Sequence, residues 1–334
     1  MRGRRRFAAL GAGLIVGLTI ASTGGAMAAK PAQTAHQRTL AYWTATRIAN
    51  AKPRDFVRTP GGGFQKGPNQ NAKPPRGGGG TGSVTGASWT QGGQIQVKSG
   101  KVLFTLDSGD YICSGTVVND NQATVSIVLT AGHCGYDGQD GGFARNWTFY
   151  PDFDDQPTYT CANSVYGCWT AQALVLDSGF TTAGGFNTQA TKHDWTFAVV
   201  GSGGKSNTQL DATVGSFPIS FSTASGTTYA FGYPAAGKYN GSDLTYCKGT
   251  PANDPYNGNA TIGMACDMTG GSSGGPWLTG FSETSGAGTL NGLNSYGYSG
   301  IRNMYGPKFN ANTSATFGRA NSAPTSNQIV TVTP

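Results

Sequence analysis

The chain has 334 residues, of which 53 are Gly, 12% are charged and 37% are hydrophobic. Sixteen Phe, 14 Tyr and 6 Trp supply apolar surface for a packed core, which excludes global disorder. A single Glu, Glu283, excludes a helical bundle. Residues 1–80 hold 13 of the 23 Lys and Arg and one of the 16 Asp and Glu, so the remainder carries 10 basic against 15 acidic side chains. The formal charge of +7 therefore belongs to the leader, and with no later basic patch a nucleic-acid partner is excluded.

Residues 2–6 read Arg-Gly-Arg-Arg-Arg, followed by the apolar stretch Phe7–Ile20 and the small residues Ala26-Met27-Ala28. This is the pattern of a signal peptide over residues 1–28, too short and glycine-rich for a membrane span. Arg4-Arg5 before Phe7 also resembles a twin-arginine signal, which leaves the export route open. The mature protein is expected to be extracellular, without a membrane partner. Residues 29–58 are basic, with a short helix whose apolar face includes Leu40, Trp43 and Ile48, and they read as a propeptide. Thr59–Gly86 has ten Gly and four Pro in 28 residues, so residues 59–87 read as a flexible linker unable to bury a core. The alternative for both pieces is a surface-attachment tail.

Residues 88–330 are expected to be one all-β domain. Its apolar runs are short, rich in β-branched and aromatic residues and separated by Gly, Ser, Asn and Asp: Lys101–Leu106, Ser126–Thr130, Trp195–Val200, Thr227–Gly232 and Leu290–Tyr298. About 240 residues of such runs suit two barrels better than one sandwich. All six cysteines lie in this part, and an even number in an exported chain points to three disulfides. No metal or other cofactor is expected: Cys161 and Cys168 lack a His pair, and Asp137, Asp140, Asp152, Asp154 and Asp155 read as a solvated acidic loop.

Three segments carry chemistry. Thr269-Gly270-Gly271-Ser272-Ser273-Gly274-Gly275-Pro276 sets a Ser pair among glycines, so that the N–H groups of Gly271 and Ser273 can converge on an oxyanion. Leu129-Thr130-Ala131-Gly132-His133-Cys134 holds one of three His in the chain between small residues and a half-cystine, which suits a rigid general base for Ser273. His193-Asp194-Trp195-Thr196-Phe197-Ala198 places a carboxylate at the mouth of an apolar strand, where an imidazole N–H would satisfy it. His193 is a competing base but reads as a loop-edge residue.

Taken together, and in this order, the three segments resemble the catalytic motifs of the chymotrypsin-like (trypsin-like) serine proteases over roughly Trp89 to Gln328. The residues before Ser273, Ala265-Cys266-Asp267-Met268-Thr269, are similar to the secreted bacterial branch related to glutamyl endopeptidases. The resemblance implies two antiparallel six-stranded β-barrels with the active site in the cleft between them. It implies a triad of His133, Asp194 and Ser273, an oxyanion hole of Gly271 and Ser273, and a substrate-pairing strand at Ser295, Tyr296 and Gly297. It also implies the disulfide Cys113–Cys134; sequence proximity adds Cys161–Cys168 and Cys247–Cys266 as expectations.

The chain departs from the family in two places. Animal digestive members carry an Asp before the nucleophile that captures a new N-terminus, and Ser272 stands there instead. The glutamyl branch uses a pocket His after the nucleophile, but no His follows His193, and Asn294 occupies the neighbourhood. Asp267, six residues before Ser273, stands where trypsin-type members bind Arg or Lys, so a basic P1 residue is the expected preference, with a loop-capping carboxylate as the alternative. The expectation is a monomeric secreted serine endopeptidase, made as a precursor and acting on proteins or peptides. A catalytically inactive binding protein and a serine esterase on the same fold are the alternatives.

Overall fold

The short β-branched runs become strands buried on both faces, one against the barrel interior and one against covering helices and loops. Strands β5 (Ser99–Leu106), β6 (Gly109–Val118), β7 (Ser126–Thr130), β10 (Arg145–Pro151), β11 (Trp169–Asp177) and β12 (Thr196–Val200) hydrogen-bond in the order β6-β5-β10-β11-β12-β7. Pairing of Thr116 with Leu129 and of Val118 with Ile127 closes them into a six-stranded barrel. A short hairpin, β8 (Tyr136–Asp137) and β9 (Gly142–Phe143), follows β7. Every residue of β7 and β12 is buried. The computed structural model describes residues 32–58, 62–67, 85–106, 109–153 and 160–331, apart from the Lys66 side chain. The expected signal peptide, much of the expected linker, and Asp154 and Asp155 lie outside the described residues.

The second half is built from β13 (Thr228–Gly232), β14 (Thr245–Gly249), β16 (Thr261–Ala265), β17 (Pro276–Ser282), β18 (Ala287–Leu293) and β20 (Ile301–Pro307). They form two antiparallel sheets, β18-β17-β13-β14 and β16-β20, edged by β4 (Ala87–Ser88), β15 (Ala252–Asn253) and β19 (Tyr296–Tyr298). The expected run Leu290–Tyr298 thus divides into β18 and β19 at Asn294-Ser295. Asn294 is fully buried there: its amide donates to the carbonyls of Phe231 (2.7 Å) and Ser272 (3.1 Å) and accepts from the Trp277 indole (2.8 Å). The helix Ala311–Ala320 and β21 (Gln328–Val330) return to the first barrel, where β21 pairs in parallel with β11 and the Trp195 indole donates to Thr316 Oγ1.

Residues 34–58 and 62–67 are more structured than expected of a propeptide and linker. Thr34 and Thr44 cap two short helices, Ala35–Tyr42 and Ala45–Asn50. Trp43 and Ile48 are buried, and the Trp43 indole donates to the Asn146 carbonyl at 2.6 Å. Three strands follow: β1 (Lys52–Pro53) parallel to β6, β2 (Phe56–Arg58) parallel to β19, and β3 (Phe64–Lys66) antiparallel to β2. The last falls inside the segment expected to be a flexible linker, as do Gly86, which is half-buried, and Ala87, which opens β4. Phe64 explains the difference, for its ring packs edge-on against Phe186 (5.1 Å) and Tyr296 (5.3 Å).

Three disulfides are present: Cys113–Cys134, Cys161–Cys168 and Cys247–Cys266. The first fixes the turn that carries His133 to β6, and the third ties β14 to the residue before Asp267. Cys247 and Cys266 are both buried and 19 residues apart, so replacing both by Ser is expected to cost about 3 kcal/mol in urea unfolding.

Candidate active site

His133 sits in a single buried turn, Gly132–Cys134, between β7 and the β8–β9 hairpin. Asp194 precedes β12, the strand that pairs with β7, so the register Thr196 opposite Thr130 brings the two residues together. The Asp194 carboxylate, 0% exposed, accepts from His133 Nδ1 at 2.9 Å, from the His133 backbone N–H at 2.8 Å and from the Ser295 hydroxyl. A buried carboxylate is stable only with such a set of donors, and these fix both the orientation and the tautomer of the imidazole. His193 is elsewhere: its Nδ1 lies 3.3 Å from Asp177 and its Nε2 lies 3.2 Å from Gln189 Nε2.

Ser273 reaches the same place from the second half. Its carbonyl accepts from the Ser114 N–H at 2.7 Å, joining the Ser273 loop to β6. Gly274, at φ +82°, lies so close to Thr130 Oγ1 and the Ala131 amide that any side chain would overlap them. Gly271, at φ +96°, is braced by the Ser114 hydroxyl, which donates to its carbonyl at 2.8 Å and accepts from the Tyr233 N–H at 2.9 Å. Among the described residues, the N–H groups of Gly271 and Ser273 donate to nothing. Ser114 was not legible as a site residue; it lies beside Cys113 in a run that reads only as a strand. Ser272, buried, donates to the Thr269 carbonyl at 2.7 Å.

His133 and Ser273 do not bond to each other among the described contacts. Ser273 Oγ donates to the Ser295 carbonyl at 3.5 Å, whereas His133 Nε2 lies 3.1 Å from the carbonyl oxygen of Arg54. Both His133 contacts are hydrogen bonds at once only when both ring nitrogens carry a proton, and such a ring cannot act as a base. Residues 52–58 run through the whole cleft. The Arg54 N–H donates to the Ile112 carbonyl, and Val57 and Arg58 pair with Gly297 and Tyr298. Phe56 meets the His133 ring edge-on (5.3 Å) and stacks on Phe186 (4.0 Å), which also meets His133 edge-on (5.4 Å), and a cavity of about 20 Å³ remains beside His133.

Asp55 lies on the other side of that chain. Its carboxyl fills the space directly over Gly270 and is covered by Gly67, so a side chain at either glycine would overlap it. Burial pushes this carboxyl up to about 6, although the nearby His133 charge and the N–H groups of Asp55 and Gly270 oppose the shift. Tyr296 turns its hydroxyl into a buried cluster, donating to Asp254 (2.6 Å) beside Thr261 and Tyr298. Burial, and then the Asp254 carboxylate, push the Tyr298 hydroxyl up to about 12.

Asp267 already has three donors: Lys238 Nζ at 2.8 Å, the Tyr239 hydroxyl at 2.6 Å and the Gly86 N–H at 2.8 Å. Burial would raise this carboxyl, but the Lys238, Tyr239 and Gly86 hydrogen bonds outweigh it and hold the group below its usual value. Lys238 and Tyr239 also line an open cavity of about 270 Å³. Asp137, expected in a solvated loop, is 6% exposed and ion-paired with Arg54 at 3.2 Å.

The raised Asp55 value sets the pH dependence of segment docking. With its docked pKa above the value near 3.8 of a free carboxyl, the penalty for the charged form is absent below about pH 4, grows to pH 6 and is then constant. The carboxyl keeps a partial opening to solvent, which softens the penalty. A peptide of residues 34–67 is expected to bind the Ser273→Ala protein lacking residues 29–67 about ten-fold more weakly at pH 7 than at pH 4. Asp55→Asn should shrink that difference, as read by fluorescence titration.

No protein-family profile matches the sequence, and no curated protein matches it. Solved structures do. The thermostable serine protease AL20 from an extremophilic microorganism is 38% identical, aligned over 69% of this chain and 100% of its own, with a TM-score of 0.59. The protease Anisep from Arthrobacter nicotinovorans is 39% identical over 68% of this chain and 96% of its own, with a TM-score of 0.58. A Glu endopeptidase shares the fold at 18% identity over 72% of this chain and 98% of its own, with a TM-score of 0.52. With two such relatives matched over nearly their whole length, the chain belongs to the chymotrypsin-like serine proteases, in the bacterial group related to glutamyl endopeptidases.

Proposed function

We propose that the chain is the precursor of a secreted serine endopeptidase. Ser273 attacks the scissile carbonyl, His133 Nε2 takes its proton and later delivers it to the leaving amine, and the Gly271 and Ser273 N–H groups hold the oxyanion. Asp194 orients the imidazole and stabilises it once charged. The observation that carries this reading is the buried pair of His133 Nδ1 and Asp194, 2.9 Å apart, in a turn packed against the Ser273 loop. A relative at 38% identity that is a serine protease by name, and one at 39% that is a protease by name, support it. Three disulfides among the described residues, and no helix there long and apolar enough to cross a membrane, fit an exported protein with residues 1–28 as its signal.

Residues 29–67 act as the pro-segment in this reading, a longer piece than residues 29–58, because β3 belongs to the same docked unit. The segment blocks without being cut: its Arg54 carbonyl faces His133 Nε2, and the oxyanion donors receive none of its oxygens among the described contacts. Activation then means removal of the segment, which restores Nε2 as an acceptor for the Ser273 proton. Ser273→Ala and His133→Ala are each expected to lower casein hydrolysis by the processed enzyme at least about 1,000-fold, with unchanged circular dichroism. Full proteolysis by either variant would end the proposal. Amide hydrolysis alongside ester hydrolysis separates an endopeptidase from an esterase.

The P1 preference is a separate matter. A basic P1 side chain needs a carboxylate ready for a new partner, and the three donors on Asp267 leave it neutralised by Lys238. Asp267 is accordingly read as a loop anchor. Asp267→Asn is expected to leave the relative rates for Arg, Lys and Leu at P1 unchanged within about three-fold, whereas loss of a buried ion pair would cost Arg and Lys on the order of 100-fold. A P1-varied peptide set read by kcat/KM decides between the two.

A further inference from the structure

Arg54 reports what the cleft beside His133 accepts. Its side chain is 3% exposed. Nε donates to the His133 carbonyl at 3.0 Å, Nη2 lies 3.2 Å from Asp137 Oδ2, and the guanidinium carbon stands 5.2 Å from the centre of the Tyr111 ring. Apart from the Phe56 ring of the same segment, 5.5 Å from the guanidinium carbon, the receiving groups belong to the first barrel and its hairpin. Asp137 is held in place independently, since its Oδ1 caps the hairpin turn by accepting from the Gln139 N–H at 3.0 Å. A planar cation offered a carboxylate, a carbonyl oxygen and an aromatic face is matched on three sides, which an ammonium cannot be.

The position of this pocket follows from the reaction. The leaving amine must come within reach of His133 Nε2, the atom that the Arg54 carbonyl now faces, and the Arg54 side chain runs from that point to Asp137. We infer that Asp137, the His133 carbonyl and the Tyr111 ring form a guanidinium subsite, which the processed enzyme uses for an arginine on the leaving-group side of the scissile bond. The inference rests on the endopeptidase reading, and it makes the pro-segment an occupant of a substrate subsite. Arginine, rather than lysine, is the residue this chemistry selects.

The test uses the processed enzyme and acyl transfer. An ester substrate forms the acyl-enzyme, which then partitions between water and an added amine: argininamide, lysinamide, alaninamide, or dipeptide amides with Arg second. Partition to an arginine nucleophile is expected to exceed that to alaninamide at least about ten-fold, with lysine between them. Asp137→Asn, which keeps an acceptor for Gln139, should bring the ratio close to one; because the ratio is internal to each protein, a general loss of activity cancels. Equal partition in the unaltered enzyme overturns the inference. A binding cycle on the Ser273→Ala background, pairing Arg54→Ala in a peptide of residues 34–67 with Asp137→Asn, measures the contact without catalysis. Coupling in that cycle without arginine preference in acyl transfer also overturns the inference, leaving Asp137 a partner of the pro-segment alone. Failure of a fluorophosphonate to label Ser273 overturns the endopeptidase reading itself and the subsite with it.

Discussion

A histidine that is to take a proton from a serine must have an unshared nitrogen aimed at it, and in this chain that nitrogen faces the carbonyl of Arg54. Much of the architecture around the cleft serves to hold that contact or to prepare for its loss. On one side, the Asp194 carboxylate takes up Nδ1 and the backbone N–H of His133, and the Ser295 hydroxyl completes its shell. The ring therefore cannot rotate when the segment leaves. On the other, Ser114 ties the Ser273 and Gly271 carbonyls to β6, which sets in position the N–H groups proposed to hold an oxyanion. On the proposed reading the site is preformed and obstructed, and activation would require no rebuilding of the barrels.

The obstruction is distributed. Helices on Trp43 and Ile48 anchor the segment to the first barrel, β1 and β2 add parallel strands at the two sides of the cleft, and Phe56 and Phe64 enclose Phe186. Against these favourable contacts stands Asp55, whose carboxyl is pressed onto Gly270 at a cost that rises with pH. One unfavourable group among apolar contacts would lower the affinity of a segment that departs on the proposed reading, without changing where it binds.

The sequence disclosed the fold and the catalytic candidates through local patterns. Short β-branched runs between turn residues mark the strands, and the words around His133, Asp194 and Ser273 each span a few contiguous residues. What escaped was carried by contacts between distant parts of the chain. Nothing near Arg54 signals a partner 83 residues away at Asp137, and the acidic loop that contains Asp137 reads as solvated because its cation arrives from elsewhere. Phe64 is hidden by composition: one aromatic residue among ten glycines leaves an average that looks incapable of packing. Asp267 shows the converse, since its position before Ser273 implies a basic substrate while its three donors come from Gly86, Lys238 and Tyr239.

The most direct measurement is the rate at which a fluorophosphonate modifies Ser273 in the intact precursor and in the protein freed of residues 29–85, with the adduct located by peptide mass spectrometry. The account predicts rapid modification of the processed form and at least about 100-fold slower modification of the precursor, because His133 Nε2 is engaged by Arg54 until the segment is gone. Equal rates in the two forms would contradict it, for the segment would then leave the nucleophile as active as it found it.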